Sequence, residues 1–391
     1  MSKKCSFMDN HLAVVTATGH VTPCCQFIER RNNWLWTYLK DVESLDQVLS
    51  SERWEELRKE LESGNEFNGC KNCWSTEAAG GISKRMYGNQ IYPNPKPGVI
   101  EDLEVGLDFT CNMMCRICKP SQSSKWFSAD KEMLKNLTSM HRDHYEFEGD
   151  INQHQKDMKR VIANTDLSNL KNIRLVGGEP FYSKNFPWLI DKLATETNIS
   201  ELEFAVNTNG SIIPKLEQLN HLCNMKKTMI DISIDAVGDL ASCIRWGVNW
   251  NIIYENLKIW AQIAKENPSV KVNIHTTMSI LNVNKIQDIV DLTDELGLYF
   301  SHHQLYSPDF FHHGQIPLEY REKWQISSPR MSDFQINDIN SMITTNFPVE
   351  NKLYDFEKAI EWIDNYQGIK FQQHNPEIWD IVQTTIKDRH V

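Results

Sequence analysis

No stretch of the 391 residues stays apolar for long: runs such as Leu12-Ala13-Val14-Val15 and Ile212-Ile213 meet a polar residue or proline within a few positions. A membrane-spanning helix needs about 20 consecutive apolar residues, and Met1-Ser2-Lys3-Lys4-Cys5 lacks the apolar core of a secretory signal. The chain is therefore read as soluble and cytoplasmic, with no membrane partner. Basic charge is also scarce. The 41 Lys and Arg face 52 Asp and Glu, a net charge of −11, and form no basic stripe. That disfavours a large nucleic acid and leaves a small molecule or peptide as the expected substrate. Internal repeats and low-complexity tracts are absent, and a chain that is 40% hydrophobic and 24% charged has the composition of a folded protein.

Cysteine is present and clustered: eight of the ten lie in the first 118 residues. In a reducing compartment, such clustering points to metal or cofactor ligation rather than disulfides. From about residue 101, short β-branched runs alternate with helical patterns, the signature of parallel βαβ units. Strands are expected at 103–109, 172–176, 201–207, 229–234, 270–277 and 298–305. Six such strands predict an α/β fold, a partial (β/α)6 barrel with its reactive centre at the strands' C-terminal ends.

Residues 1–98, rich in Cys and Trp, precede that repeat and close on the proline-rich 92–98, which reads as a linker. The barrel is expected over 99–310 and a C-terminal helical extension over 311–391. Within the barrel, 120–170 is a long polar insertion containing His141, His144 and His154, read as a solvated helical hairpin in preference to a lid. In the tail, Ile378, Ile381, Val382 and Ile386 recur at helical spacing and predict a docked amphipathic helix.

Directly after the first expected strand comes Cys111-Asn112-Met113-Met114-Cys115-Arg116-Ile117-Cys118, a CxxxCxxC loop. Three thiolates hold three corners of a [4Fe–4S] cube and leave one iron open. A zinc knuckle is the alternative, but no fourth Cys or His follows at finger spacing. After the second strand comes Gly177-Gly178-Glu179-Pro180. Its two glycines permit close backbone approach, and its carboxylate can accept from an ammonium group. In this order the two motifs resemble those of the radical S-adenosylmethionine (SAM) superfamily, over roughly residues 103–305.

The resemblance implies that Cys111, Cys115 and Cys118 hold a catalytic [4Fe–4S] cluster and that Gly177, Gly178, Glu179 and Pro180 bind the methionine part of SAM. Ile117 would pack on adenine. Asn207 and Asn209, with Ser233 and Asp235, match ribose-binding positions, for which helix capping is the alternative. Arg245 resembles an arginine near the SAM carboxylate. The fifth strand shows no Gly-x-Ile-x-Gly adenine motif; Thr276, Thr277 and Met278 stand there.

A second set comprises Cys5, then Gly19 to Cys24-Cys25, then Cys70-Lys71-Asn72-Cys73. Spacing alone allows a cluster or a zinc site. The set resembles the auxiliary-cluster ligands of SPASM and twitch modules, which usually follow the barrel rather than precede it. This resemblance implies a small twitch-like domain with a second [4Fe–4S] cluster held by Cys5, Cys24, Cys70 and Cys73, with Cys25 as the alternative to Cys24. Cys223 and Cys243 are read as packing residues. Nearby Trp34, Trp36, Trp54 and Trp74 are expected to shield a cluster or fill a core. Glu77, Lys84, Arg85 and Tyr87 are expected in an ordinary exposed segment. His302 and His303 are the candidate catalytic residues, of which alternation lets at most one face inward.

The implied function is reductive cleavage of SAM to methionine and a 5′-deoxyadenosyl radical that abstracts hydrogen from a substrate. Electrons would come from a donor such as flavodoxin or ferredoxin. A peptide or protein side chain is the first expectation for the substrate and a small sugar or nucleotide the second. A non-catalytic iron–sulfur or zinc scaffold is the alternative of another class.

Overall fold

The computed structural model describes residues 3–27, 37–347 and 349–388; Trp34 and Trp36 lie outside them. The chain packs as two compact units, one of residues 1–110, 148–207 and 214–228, the other of 111–147, 208–213 and 229–391.

In the first unit four strands lie side by side: β1 (His11–Val14), β2 (Asp102–Gly106), β3 (Asn172–Val176) and β4 (Glu203–Thr208). Each neighbouring pair is parallel, with Leu12 opposite Leu103 and Leu103 opposite Ile173. Helices Ile151–Asn164 and Phe186–Glu196 make the crossovers from β2 to β3 and from β3 to β4. Along β3, Ile173 and Leu175 are buried while Asn172, Arg174 and Val176 are half-buried. One face therefore packs on helices and the other stays polar.

The second unit holds β5 (Lys227–Ser233), β6 (Val270–Met278) and β7 (Tyr299–Gln304), in that order. Helices Trp250–Glu266 and Ile286–Leu296 follow β5 and β6. All six strands expected from the sequence are present, and the α/β partial-barrel class stands. A seventh, β1, comes from the cysteine-rich segment, so packing does not divide at residue 98. Its four residues are wholly buried. It turns back at Gly19 (φ +75°), and Ala13 and Thr22 exchange two backbone hydrogen bonds, which aims the chain at Cys24.

Packing also departs from the expected boundary at residue 310. Helix Leu353–Gln367 belongs to the second unit, where Asp364 receives the buried Arg116 of the cysteine loop at 2.7 Å. The last helix, Pro376–Asp388, buries Ile378, Ile381 and Val382 as its periodicity predicts. The insertion is helical, but His144 and His154 are buried rather than solvated. Among the described residues, no helix is long and apolar enough to cross a membrane.

Several histidines are held neutral. Burial pushes His313 down to about 3 and also lowers His11 and His154. Because the unfolded chain takes up these protons near pH 6.5 and the folded chain does not, stability is expected to fall as pH drops through 6.5, by about 1.4 kcal/mol per pH unit for each such histidine. Melting temperatures measured from pH 7.5 to 5 should decline from about pH 6.5. A flat profile would mean that these imidazoles protonate in the folded protein.

Candidate active site and auxiliary cysteine pocket

β2 stops at Gly106 because the chain turns sharply over the next few residues. Asp108 accepts from the Thr110 backbone N–H at 3.0 Å, and Phe109 adopts φ +53°, a strained value for a bulky residue. Its ring lies back on Gly106, where a Cβ would meet it at 2.1 Å. Gly178 (φ +61°) presses on the same turn: a Cβ there would fall 2.5 Å from the Thr110 carbonyl oxygen. The Glu179 N–H donates to that oxygen at 2.7 Å, and the Glu179 carboxylate, fully buried, accepts from the Phe181 N–H. The Gly-Gly-Glu-Pro turn is thus locked backbone to backbone against Phe109 and Thr110. Pro180 is buried behind it, and Asn207, at the end of β4, accepts from Arg174 at 3.0 Å.

The loop itself is fixed from several sides within the second unit. Met114-Cys115 pairs antiparallel with Arg245-Trp246. Asn209 donates to the Asn112 side chain at 2.9 Å, and Asn112 donates to Ser211. Trp126 Nε1 donates to the Cys115 carbonyl at 2.8 Å, and His144 Nε2 lies 3.3 Å from the Cys118 carbonyl. Cys111 is buried, while Cys115, Ile117 and Cys118 are half-buried. Burial pushes the Cys115 thiol up to about 12, opposed by Arg245, and also raises Cys118.

Arg245 Nε donates to Asp235 Oδ2 at 2.8 Å, and its Nη1 lies 3.7 Å from Cys115 Sγ. Asp235 is buried, with Oδ1 accepting from the Thr277 N–H at 2.9 Å. The geometry thus places Asp235 as the anchor of Arg245, a role the ribose-binding expectation did not include. Ser233 is half-buried at the end of β5. His303 shares a strand face with Thr277, whereas His302 points the other way, 3.6 Å from Asp338.

A separate set lies in the first unit. Cys5, Cys24, Cys70 and Cys73 line one small pocket, with Phe7, Phe27, Lys84 and Arg85 among its walls. Burial pushes Cys5 up to about 11 and Cys24 to about 12, and neighbouring thiols add to it. Among the described residues, no three His, Cys, Asp or Glu side chains converge closely enough for a single ion. Four sulfurs ringing a cavity suit a multi-iron cluster better than one zinc with bonds of about 2.3 Å. Cys25 is exposed and bonded to Lys84 Nζ at 3.0 Å. Trp74, half-buried, packs with Cys5 and Cys70 on the cluster of Met8, Leu57 and Leu61, while Trp54 is core. Lys84 and Arg85 were expected in a plain exposed segment. They reach the cavity because helix Lys84–Ile91 carries them there, and only their closeness to Cys70 and Cys73 hinted at it.

Comparison with known proteins identifies two families along the chain. Residues 109–295 match the model of the radical SAM superfamily, and residues 5–74 match SPASM, an iron–sulfur cluster-binding domain. An S-adenosylmethionine-dependent nucleotide dehydratase from Fibrobacter sp. (strain UWH6) is 23% identical over 279 residues, 68% of this chain and 69% of its own length. A GTP 3′,8-cyclase from Petrotoga mobilis is 26% identical over 202 residues, 51% of this chain and 54% of its own length. Among solved structures, anSMEcpe with bound AdoMet (14% identity, TM-score 0.37) covers 57% of this chain and 58% of its own. Streptococcus suis SuiB (12% identity, TM-score 0.34) covers 82% of this chain and 58% of its own. The two family models cover the two cysteine sets separately: the chain carries a SPASM domain followed by a radical SAM domain, and is an enzyme of the radical SAM superfamily.

Proposed function

We propose that this enzyme applies radical SAM chemistry to a polar, hydroxyl-bearing small molecule of the nucleotide or sugar class. The observation that carries the reading is one face of β5, β6 and β7, where Asp231, Asn273, His275, Thr277, Ser301 and His303 hydrogen-bond in series. Such a face offers donors and acceptors to a substrate rich in hydroxyls and ring nitrogens, and is ill suited to an aliphatic peptide side chain. The names of the nucleotide dehydratase and the GTP cyclase support the same class.

In this reading Cys111, Cys115 and Cys118 hold the catalytic [4Fe–4S] cluster, with Gly177–Pro180 binding the methionine end of SAM. Together, when bound, cluster and SAM supply a 5′-deoxyadenosyl radical that removes a hydrogen atom from the substrate. Asp235 orients Arg245 toward Cys115, and the Asn112–Asn209 pair fixes the loop's entry. Cys5, Cys24, Cys70 and Cys73 hold a second [4Fe–4S] cluster that relays electrons from a flavodoxin- or ferredoxin-type donor.

The test is anaerobic reconstitution with iron and sulfide, then 5′-deoxyadenosine formation with SAM and dithionite across a panel of ribonucleotides, sugar nucleotides and short peptides. A nucleotide or sugar should stimulate 5′-deoxyadenosine several-fold and be consumed in step with it. Stimulation by peptides alone would overturn the substrate class and favour the side-chain reading.

A further inference from the structure

Two imidazoles on the polar face of β5–β7 are not needed to hold cluster or SAM. The register places His275 opposite Ser301 and Thr277 opposite His303, so these side chains share a face with Asn273. His303 is exposed on that face and His275 half-buried.

One fixed end sets the direction of the first hydrogen bonds of this series. The Asp231 carboxylate only accepts, so Asn273 turns its amide nitrogen to it at 3.0 Å. The second hydrogen of that nitrogen goes to Ser301 Oγ at 2.6 Å. Ser301 Oγ has one hydrogen and a second lone pair to offer His275 Nδ1, 2.7 Å away, and in the arrangement taken here it donates. His275 therefore carries its proton on Nε2 and donates it to His303 Nδ1 at 2.6 Å. His303 in turn holds its proton on Nε2, 3.2 Å from Thr277 Oγ1. Both rings are neutral in this scheme. Burial pushes His275 down to about 4 and lowers His303. The titratable and charged groups facing His275 are His303, Asp231, Asp235 and Arg245, and those facing His303 are Asp235 and Arg245.

We propose that His275 and His303 form a proton relay serving the substrate, with His303 as the contacting residue. The proposal rests on reading this face as the substrate face. Hydrogen-atom abstraction moves no net charge, so a hydroxyl that is lost or oxidised afterwards needs a proton supplied or removed by the protein. On donation, the N–H bond at His303 Nε2 breaks and its proton goes to a substrate oxygen. The proton on His275 Nε2 moves to His303 Nδ1, and the Ser301 hydroxyl proton moves to His275 Nδ1. Water re-protonates Ser301 and leaves hydroxide in solvent. The substrate gains one proton, solvent loses one, and the pair stays neutral with His303 Nε2 now bare. A substrate that releases a proton drives the same chain backward.

The primary test uses oxidised holoenzyme with 15N-labelled histidine, recording imidazole spectra without SAM and assigning them by His275→Gln and His303→Gln. Both rings should be neutral at pH 7 with the proton on Nε2, and both should respond together only below about pH 6. Independent titrations near the ordinary value of about 6.5, or a proton on Nδ1 of either ring at pH 7, would overturn the relay. With GTP and the other common ribonucleoside triphosphates as probes, His303→Gln should lower product formed per 5′-deoxyadenosine about a hundredfold, the low end for a lost acid–base group. An unchanged ratio would reduce the residue to a structural role. Wild-type protein that makes no 5′-deoxyadenosine would instead strike the functional reading, because the imidazole spectra do not depend on it.

Discussion

Cys115→Ala protein is expected to form no 5′-deoxyadenosine from SAM and dithionite and to retain about four irons where the wild type holds about eight. Cys115 is the middle thiol of three that the loop presents, paired in a two-residue ribbon with Arg245 and faced by its guanidinium. Two thiols cannot hold the cube with one open iron, so the effect is loss rather than reduction. The ribbon is made of backbone, and the Trp126 bond goes to the Cys115 carbonyl, so the fold of the loop should survive. Cys25→Ala serves as control: its sulfur bonds to Lys84 and is not among the residues lining the cavity, so its iron content should match the wild type. Iron counting with a 5′-deoxyadenosine assay decides the matter. Activity retained by Cys115→Ala would remove this loop as the catalytic centre.

The largest loss of stability is expected from Asp364→Ala. Arg116, between the second and third loop cysteines, has no solvent exposure. Its guanidinium donates to Asp364 at 2.7 Å, to the Cys243 carbonyl at 2.9 Å and to the Ile369 carbonyl at 3.1 Å. Asp364 also accepts from the Phe371 N–H, tying down the start of the next short helix. Removing the carboxylate leaves a buried cation with two neutral partners, a change that costs about 3–5 kcal/mol. Against a typical total of about 5–15 kcal/mol, this brings the protein near its unfolding threshold. Urea unfolding should show a much lower midpoint, and iron loading of the cysteine loop should drop with it. A shift below about 1 kcal/mol would mean that water reaches Arg116 and replaces the carboxylate.

The strands were legible because each is a short β-branched run between turn residues, and Asn172–Val176 has the span expected of it. Their ends were less so. The first expected strand ran to Phe109, but Asp108 captures the Thr110 N–H and Phe109 leaves extended geometry, which the β-branched pattern cannot signal. β1 was missed because four residues are too few to show a period, and its burial comes from Asp102–Gly106, some ninety positions away. The close backbone approach at Gly178 and the spacing of the three loop cysteines were legible, since both are local features of the chain. His144 and His154 read as polar residues of an exposed hairpin. Each is instead buried on one carbonyl, of Cys118 and Gly106, and such partners are invisible without the fold. His275 was within reach: it alternates with Asn273 and Thr277 as Asp231 does with Ser233 and Asp235. Only the register between strands joins the two sets.

β1 changes what can be detached from this protein. Its four buried residues are the neighbour that satisfies one side of β2, so cutting away the cysteine-rich segment would bare a row of N–H and C=O groups on the strand that leads into the three-cysteine loop. The auxiliary segment is therefore not an accessory that evolution or an engineer can shed by a clean truncation. Leu12, Ala13 and Val14 must stay, and their tolerance to change should follow the rules of a barrel core rather than those of a metal-binding appendage.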